Sequence, residues 1–218
     1  MKNIKKLSKL ILLLLVSAFS VPSFSQSAAV DLGLPSGIKW AAHNVGANKP
    51  EERGGYYAWG ETEEKKNYEW STYKWCNGSS DTMTKYCADS GCGTVDNKTV
   101  LDPENDVAHV KWGGNWRMPT KAEQDELRDN CTWTWTTLNG VKGYKVTSKT
   151  NGNSIFLPIA GYRCDTGIYN LRRSGIFWSS SLQNEDCNDA DCLYFDDEYY
   201  DRLHYKRYYG LTVRPVCE

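Results

Sequence analysis

Metal-binding signatures are largely missing from this sequence. It contains only three histidines, His43, His109 and His204, and no two cysteines are separated by two residues. Zinc sites are normally built from closely spaced cysteine pairs or from sets of cysteine and histidine. The sequence therefore disfavours zinc, and we expect no cofactor.

A basic surface is also missing. The chain has 26 lysines and arginines against 27 aspartates and glutamates, and no basic cluster is interleaved with aromatic residues. Nucleic-acid binding needs a basic surface that neutralises phosphates. We therefore expect no nucleic-acid partner.

Only one long hydrophobic run occurs, at residues 10–16, and it is too short to span a bilayer stably. Lysines at positions 2, 5, 6 and 9 precede it, and Ser23 and Ser25 follow it. This pattern is typical of a secretory signal peptide that is cut before Gln26, with an uncleaved anchor as the alternative. We predict a signal peptide at residues 1–25, export to the periplasm, the outer surface or the medium, and no membrane span after cleavage.

Residues 26–218 are interpreted as one α+β domain, because no repeat or linker divides them. Helical periodicity is scarce, and Asn-Gly turn signals recur at residues 77–78, 139–140 and 151–152. One surface helix is predicted after Pro119, where Thr120 and Glu123 have the spacing of a capping box. Short strands are predicted at residues 143–147, 154–158, 176–181, 192–195 and 209–216. The first two form a hairpin around the turn at 151–152, and Leu211 and Val213 of the last face the core.

Eight cysteines follow the predicted signal peptide, and an exported chain meets oxidising conditions, so disulfides are the default interpretation.

Five motifs suggest a family: VDLGLPSG at 30–37, YAWGET at 57–62, WGGNWRMPT at 112–120, FWSSS at 177–181 and GLTVRPV at 210–216. Together they resemble the Fibrobacter succinogenes major paralogous domain of exported Bacteroidetes proteins, and the resemblance covers nearly all of residues 26–218.

The resemblance implies a C-type-lectin-like fold, akin to that of formylglycine-generating enzymes, with short mixed or antiparallel strands, one or two surface helices and long loops. In such a fold the N-terminal and C-terminal strands pair, and a long loop region carries ligand contacts. It also implies a disulfide between Cys131 and Cys217, and we expect Cys76 and Cys87 to form a second. The remaining cysteines stay unassigned: Cys187 with Cys192 and an unpaired Cys92 are both open.

Residues 183–209 differ in composition from the rest of the chain, with eight acidic residues, six tyrosines and three basic residues. Tyrosine mixed with short polar residues is typical of binding loops, so most of this stretch is expected to face water or a ligand. It also resembles the variable region of proteins targeted by diversity-generating retroelements. The candidate ligand-binding residues are Asp186, Asn188, Asp189, Asp191, Tyr194, Asp196, Tyr199, Tyr200, Asp201, Leu203, His204, Tyr205 and Tyr208.

These features predict a secreted or surface-displayed protein that binds a protein or glycan on a cell or phage surface. A structural or adhesive surface protein is the alternative, as is a solvated edge hairpin for residues 183–209. A thiol oxidase of the formylglycine-generating type is disfavoured, because no histidine or lysine adjoins Cys187 or Cys192 to activate a thiolate. We expect no enzyme. Calcium at residues 102–106 is a further hypothesis, with a solvated turn favoured over it.

Overall fold

The computed structural model describes residues 28–183 and 186–218, and the predicted signal peptide therefore lies outside the described residues. The chain is a mixed α+β structure with mostly antiparallel strands. No helix in the described ranges is long and apolar enough to cross a membrane. The α-helices are α1 (Val107–Trp112) and α2 (Lys121–Asn130), and two short 3₁₀-helices occur at Trp70–Thr72 and Pro103–Asn105. The strands are β1 (Ala29–Asp31), β2 (Lys39–Ala41), β3 (Cys131–Leu138), β4 (Val141–Ser148), β5 (Ser154–Pro158), β6 (Tyr162–Cys164), β7 (Gly167–Tyr169), β8 (Gly175–Leu182), β9 (Asp189–Phe195), β10 (Tyr200–Lys206) and β11 (Val216–Cys217).

Helix α2 begins where the capping box predicts. The Thr120 hydroxyl accepts from the Glu123 amide at 3.3 Å, and the Glu123 carboxylate accepts from the Thr120 amide at 2.7 Å. Leu127 and Gln124 are the buried residues of the helix, and the Gln124 side-chain amide donates to the Phe177 carbonyl at 3.1 Å. The helix is therefore fixed to strand β8 by a polar contact as well as by apolar packing.

In the part of the chain that the structure describes, three three-stranded sheets and one two-stranded ribbon form the framework. Their strand orders are β3-β4-β5, β10-β9-β8, β1-β2-β11 and β6-β7. The predicted hairpin is confirmed, since β4 pairs with β5 in antiparallel register across the turn that contains Gly152. The strands predicted near 176–181 and 192–195 are confirmed as β8 and β9. In the third sheet, β2 joins N-terminal β1 to C-terminal β11.

The strand predicted at residues 209–216 is wrong. Leu211 and Val213 are fully buried as expected, but Thr212 and Arg214 between them are also buried, so no alternating solvent face exists. Isolated bridges at Leu211 and Thr212 replace a continuous ladder, and regular pairing starts only at Val216. The segment crosses the core, where each side chain meets protein on every side.

Arg214 shows why this crossing is irregular. Its guanidinium is buried and donates to the Asn44 side-chain oxygen at 2.7 Å and to the Phe156 carbonyl at 2.9 Å. It also donates to the carbonyls of Ala41 and Ala42. Burial lowers the pKa of Arg214 to about 9. The backbone around the arginine follows the position of these acceptors, since buried donors must be satisfied.

The disulfide expected between Cys131 and Cys217 is not formed; both are buried free thiols. Cys131 packs in a core cluster with Leu127, whereas Cys217 packs in another cluster with Met118. Burial raises the pKa of both thiols, that of Cys131 to about 11. The two side chains thus fill different parts of the core.

The disulfide found in the described residues joins Cys92 to Cys187. The expected pair Cys76–Cys87 is wrong, because each is a buried thiol that donates to a nearby backbone carbonyl, at 3.2 and 3.0 Å respectively. The two options left open from the sequence, a bond from Cys187 to Cys192 and an unpaired Cys92, are also wrong. Cys76, Cys87, Cys92 and Cys187 lie in or against one small core cluster. Each of them therefore has several other cysteines nearby, and the spacing of cysteines along the sequence does not determine which two are bonded.

Candidate ligand-binding surface

The β9–β10 hairpin contains most of the candidate residues. Strand β10 is the edge of the sheet, and β9 lies between it and β8. Side chains along a strand alternate between two faces. The face that packs on α2 and β3 is called the helix face, and the opposite one the tyrosine face.

The hairpin distributes the candidates over both faces and its two ends, so one ligand cannot contact all of them. The helix face holds Asp189, Asp191, Tyr200 and His204; the tyrosine face holds Tyr194, Leu203 and Tyr205; the turn holds Asp196 and Tyr199; Asp186 and Asn188 precede β9, and Tyr208 follows β10. Asp201, the second residue of β10, forms an ion pair with Arg128 of α2 at 2.9 Å.

In strand β9, the expectation that most of residues 183–209 face water or a ligand is wrong, because six of its seven residues are buried. Asp189 and Asp191 are each only 6% exposed. Asp189 forms an ion pair with Lys206 at 2.7 Å, and Asp191 forms one with Lys121 at 3.6 Å. Burial raises the pKa of Asp191. These carboxylates attach the hairpin to itself and to α2, because a buried charge needs a partner.

Two further side chains bind the helix face to its neighbours. The Tyr200 ring stacks on Trp133 of β3, with 4.6 Å between ring centroids and 12° between planes. Arg202 donates to Asp125 of α2 at 2.7 Å. The ring of Tyr200 therefore packs against the edge of the hydrophobic core. It is not the exposed ligand contact that the sequence suggested.

The tyrosine face continues into a larger aromatic surface. Within it, Tyr162 stacks on Tyr209 at 5.3 Å and on Tyr169 at 5.7 Å, and its ring lies 5.7 Å from that of Tyr205. Tyr194 contacts Tyr199 at 5.4 Å between centroids. We define the tyrosine surface as Tyr162, Tyr169, Tyr194, Tyr199, Tyr205, Tyr208 and Tyr209.

Three phenols of this surface, those of Tyr194, Tyr205 and Tyr209, are held in their neutral form. Burial raises the pKa of Tyr205 and of Tyr209. Burial, followed by the hydrogen bond to Asp196, raises the pKa of Tyr194 to about 12. Neutral phenols both donate and accept hydrogen bonds, and their rings present flat apolar area.

Sequence analysis missed Tyr209, which was not among the candidates within residues 183–209, and also Tyr162 and Tyr169. The last two come from the β6–β7 ribbon outside that stretch. Both are aromatic residues in a short run with turn residues nearby, a signal shared by many other positions of this chain. Gly161 permits their approach: its φ is +60°, and a Cβ there would lie 2.0 Å from the Tyr169 carbonyl oxygen. Only glycine fits this close contact.

The β9–β10 turn is organised by Asp196. Its carboxylate accepts from the amides of Glu198 and Tyr199 at 2.9 and 3.0 Å, and from the Tyr194 hydroxyl at 3.0 Å. Burial opposes ionisation of Asp196, but these hydrogen bonds hold its pKa below the ordinary value. Asp196 thus positions two residues of the tyrosine surface.

The base of the hairpin is anchored by Arg207, which is fully buried. Its guanidinium donates to the Tyr73 hydroxyl at 2.9 Å, and to the carbonyls of Tyr86 and Cys187 at 3.0 and 2.9 Å. The disulfide from Cys187 to Cys92 fixes the same end of the hairpin. The tyrosine surface therefore stands on a rigid support, which lowers the entropy lost on binding.

The residues considered for calcium are engaged by the chain itself. Asp106 is buried and caps α1, with its carboxylate accepting from the amides of Ala108, His109 and Met118. Hydrogen bonds from two lysines lower the pKa of Asp102 to about 2. Within the described ranges no group of three metal-ligating side chains is found. The favoured solvated turn describes only part of the segment: Pro103 and Glu104 are exposed, whereas Asn105 and Asp106 are buried and Asp106 caps α1.

The cysteines considered for thiol chemistry have different environments. Cys187 is bound to Cys92, and Cys192 is fully buried in β9. Burial raises the pKa of Cys192 well above its ordinary value, so its thiol stays protonated at neutral pH. The two sulfurs do not form a free dithiol.

Comparisons of the chain with protein-family models, with curated proteins and with solved structures find no match in any of the three.

Proposed function

We propose that this protein is an exported ligand-binding protein with a C-type-lectin-like fold, and that its tyrosine surface is the binding site. One observation carries the proposal: seven tyrosines from β6, β7, the β9–β10 hairpin and the segment after it form two groups of contacting rings, Tyr194 with Tyr199 and the other five together, and Tyr194 and Tyr205 place both groups on the same face of the hairpin. Tyr169 and Tyr199 in this set are 45% and 47% exposed. Large exposed aromatic area outside a core is typical of binding sites.

The ligand is proposed to be a protein or glycan. Neutral phenols provide hydrogen bonds in both directions together with flat ring faces, which is the combination that antibody loops use for such partners. The buried ion pairs of the helix face and the Arg207 anchor keep these rings in place. Export is supported by the disulfide, since such bonds persist in oxidising compartments.

A binding experiment with the full chain tests the proposal. Labelled protein is applied to glycan arrays and to intact bacterial cells and phage, and is compared with the variant Tyr169→Ser/Tyr199→Ser. We expect the variant to lose roughly tenfold or more in affinity with little change in Tm, because both side chains are exposed. A matched control is Val100→Ser/Val110→Ser, which removes two other exposed apolar side chains, 47% and 48% exposed.

Equal affinity of the tyrosine variant and the control would place the site elsewhere. Absence of binding to every array and surface favours the alternative of a structural or adhesive protein.

We also propose that residues 183–209 are diversified by a retroelement, and this proposal is tested by sequencing the gene. Its last 200 or so bases are sequenced in many sister isolates, and flanking DNA is searched for a near-copy template and a reverse transcriptase. We expect substitutions at exposed positions such as Tyr199 and Asp201 and constancy at buried Asp191 and half-buried Tyr200, which hold the hairpin. A uniform 3′ end without a template contradicts diversification and leaves a binding protein of fixed specificity.

A further inference from the structure

A groove adjoins the tyrosine surface at Tyr194. It has a volume of about 510 Å³ and lies between the β9–β10 turn and the loop that joins β7 to β8, and it also reaches the start of β4. One wall carries Asp197 and Glu198 of the turn, and the other carries Lys142, Arg172 and Arg173. The groove thus has one acidic and one basic wall.

The charges on the two walls do not neutralise each other. Across residues 28–183 and 186–218, ion pairs are formed in many places, yet none includes Lys142, Arg172, Arg173, Asp197 or Glu198. All five residues are exposed. Opposite charges that line one groove without pairing leave room for a guest that contacts both walls.

The backbone holds each wall in place. The Asp196 carboxylate binds the amides of Glu198 and Tyr199, which fixes the acidic turn. On the basic side, the Asn170 carbonyl accepts from the amide of Arg173 at 2.9 Å, in a turn where Asn170 has a φ of +53°. The separation of the walls is therefore set by two defined turns.

Aromatic rings from two strands complete the lining. Trp135 of β3 and Tyr194 of β9 both line the groove, and both are half-buried. An ammonium group is attracted to the face of an indole or phenol ring and to carboxylates. Guanidinium groups bind phosphate and carboxylate through paired hydrogen bonds.

We propose that this groove binds a small zwitterionic group, with an ammonium at Asp197, Glu198 and the two rings, and a phosphate at Lys142, Arg172 and Arg173. The group is either a free zwitterion or a substituent on a larger ligand. This inference goes beyond the proposed function, because the charged residues that define the groove are not part of the tyrosine surface; only Tyr194 is common to both.

Calorimetric titration of the full chain with phosphocholine, inorganic phosphate and choline tests the inference. We expect phosphocholine to bind roughly tenfold or more tightly than either of its halves. Arg172→Gln/Arg173→Gln should weaken phosphocholine and phosphate alike by about tenfold, whereas Asp197→Asn/Glu198→Gln should weaken phosphocholine and leave phosphate unchanged or tighter. The control Lys49→Gln/Lys66→Gln removes two exposed cations away from the groove and should change neither.

Phosphate that binds as tightly as phosphocholine would overturn the inference in favour of a simple anion site, and so would loss of phosphocholine binding in the lysine control. No binding of any of the three compounds also overturns it. The variant Tyr169→Ser separates the two proposals, because Tyr169 contacts Tyr162 and does not line the groove: it should leave phosphocholine affinity unchanged while it weakens binding at the tyrosine surface. A second titration, with a glycoconjugate that carries phosphocholine as a substituent, tests the source of the zwitterion. Tighter binding of the conjugate than of free phosphocholine identifies a substituent on a larger ligand. Equal binding identifies a free zwitterion.

Discussion

At the scale of single residues, Tyr199 and Tyr200 are neighbours in sequence with opposite environments. Tyr199 is 47% exposed at the turn, whereas the ring of Tyr200 stacks on Trp133 and also contacts Tyr144 at 5.5 Å. The alternation of strand side chains produces this difference, since Tyr200 is the first residue of β10 and points to the helix face. One tyrosine is available to a ligand and the other supports the fold.

We therefore expect different effects from two alanine substitutions. Tyr200→Ala should lower the free energy of unfolding by about 2 kcal/mol, because it removes a stacked, half-buried ring. Tyr199→Ala should change it by about 0.5 kcal/mol or less. Urea unfolding followed by tryptophan fluorescence measures both, and Tyr200→Phe, which keeps the ring, is the control. Equal losses from the two alanine variants would show that the stack on Trp133 does not stabilise the protein.

At the scale of elements, the N-terminus of α2 has a local hydrogen-bond network around one carboxylate. Glu123 accepts from the Thr120 amide and from both terminal nitrogens of Arg117, at 2.8 and 2.6 Å. Burial alone would raise the pKa of Glu123, but these hydrogen bonds hold it below the ordinary value of 4.5. The helix carries Lys121 and Asp125, which pair with the β9–β10 hairpin, so its position bears on the candidate site.

The lowered pKa of Glu123 determines in which direction the free energy of unfolding changes with pH. The unfolded chain binds the proton more readily than the folded one, so this stabilisation is present above about pH 4.5 and is lost as the pH falls through the folded value. Glu123→Gln should cost about 1 to 2 kcal/mol at pH 7 and should show a smaller further loss between pH 5 and pH 3 than the wild type. Urea unfolding at several pH values measures this. Exposed Glu198→Gln is the control, and parallel pH curves for Glu123→Gln and the wild type would contradict the prediction.

At the scale of the whole molecule, sequence patterns within a few residues predicted one helix start, one hairpin and two strands. Features that depend on contacts between distant segments could not be predicted in this way. The Thr120 cap, the hairpin at 151–152 and strands β8 and β9 follow from propensity and turn chemistry within a few residues. The cysteine partners, the buried crossing at Arg214 and the contribution of Tyr162 to the tyrosine surface depend on segments far apart in the chain. For example, the polar composition of β9 indicated exposure, whereas partners on α2 and β10 allow Asp189 and Asp191 to be buried.

The disulfide is a long-range covalent constraint, because Cys92 and Cys187 are 95 residues apart in sequence. A cross-link of that length stabilises by about 4 to 5 kcal/mol in the chain-entropy model, mainly by restricting the unfolded chain. Cys92→Ala/Cys187→Ala should therefore have a markedly lower Tm than the wild type, and dithiothreitol should lower the Tm of the wild type but not that of the variant.

The number of free thiols provides an independent check. Wild-type protein denatured without reductant should react with an alkylating agent at the six cysteines that are free in the structure, Cys76, Cys87, Cys131, Cys164, Cys192 and Cys217. Fewer alkylated sites would mean further bonds, and peptide mapping that joined Cys131 to Cys217 would restore the pairing expected from the sequence and contradict the separate packing of these two thiols.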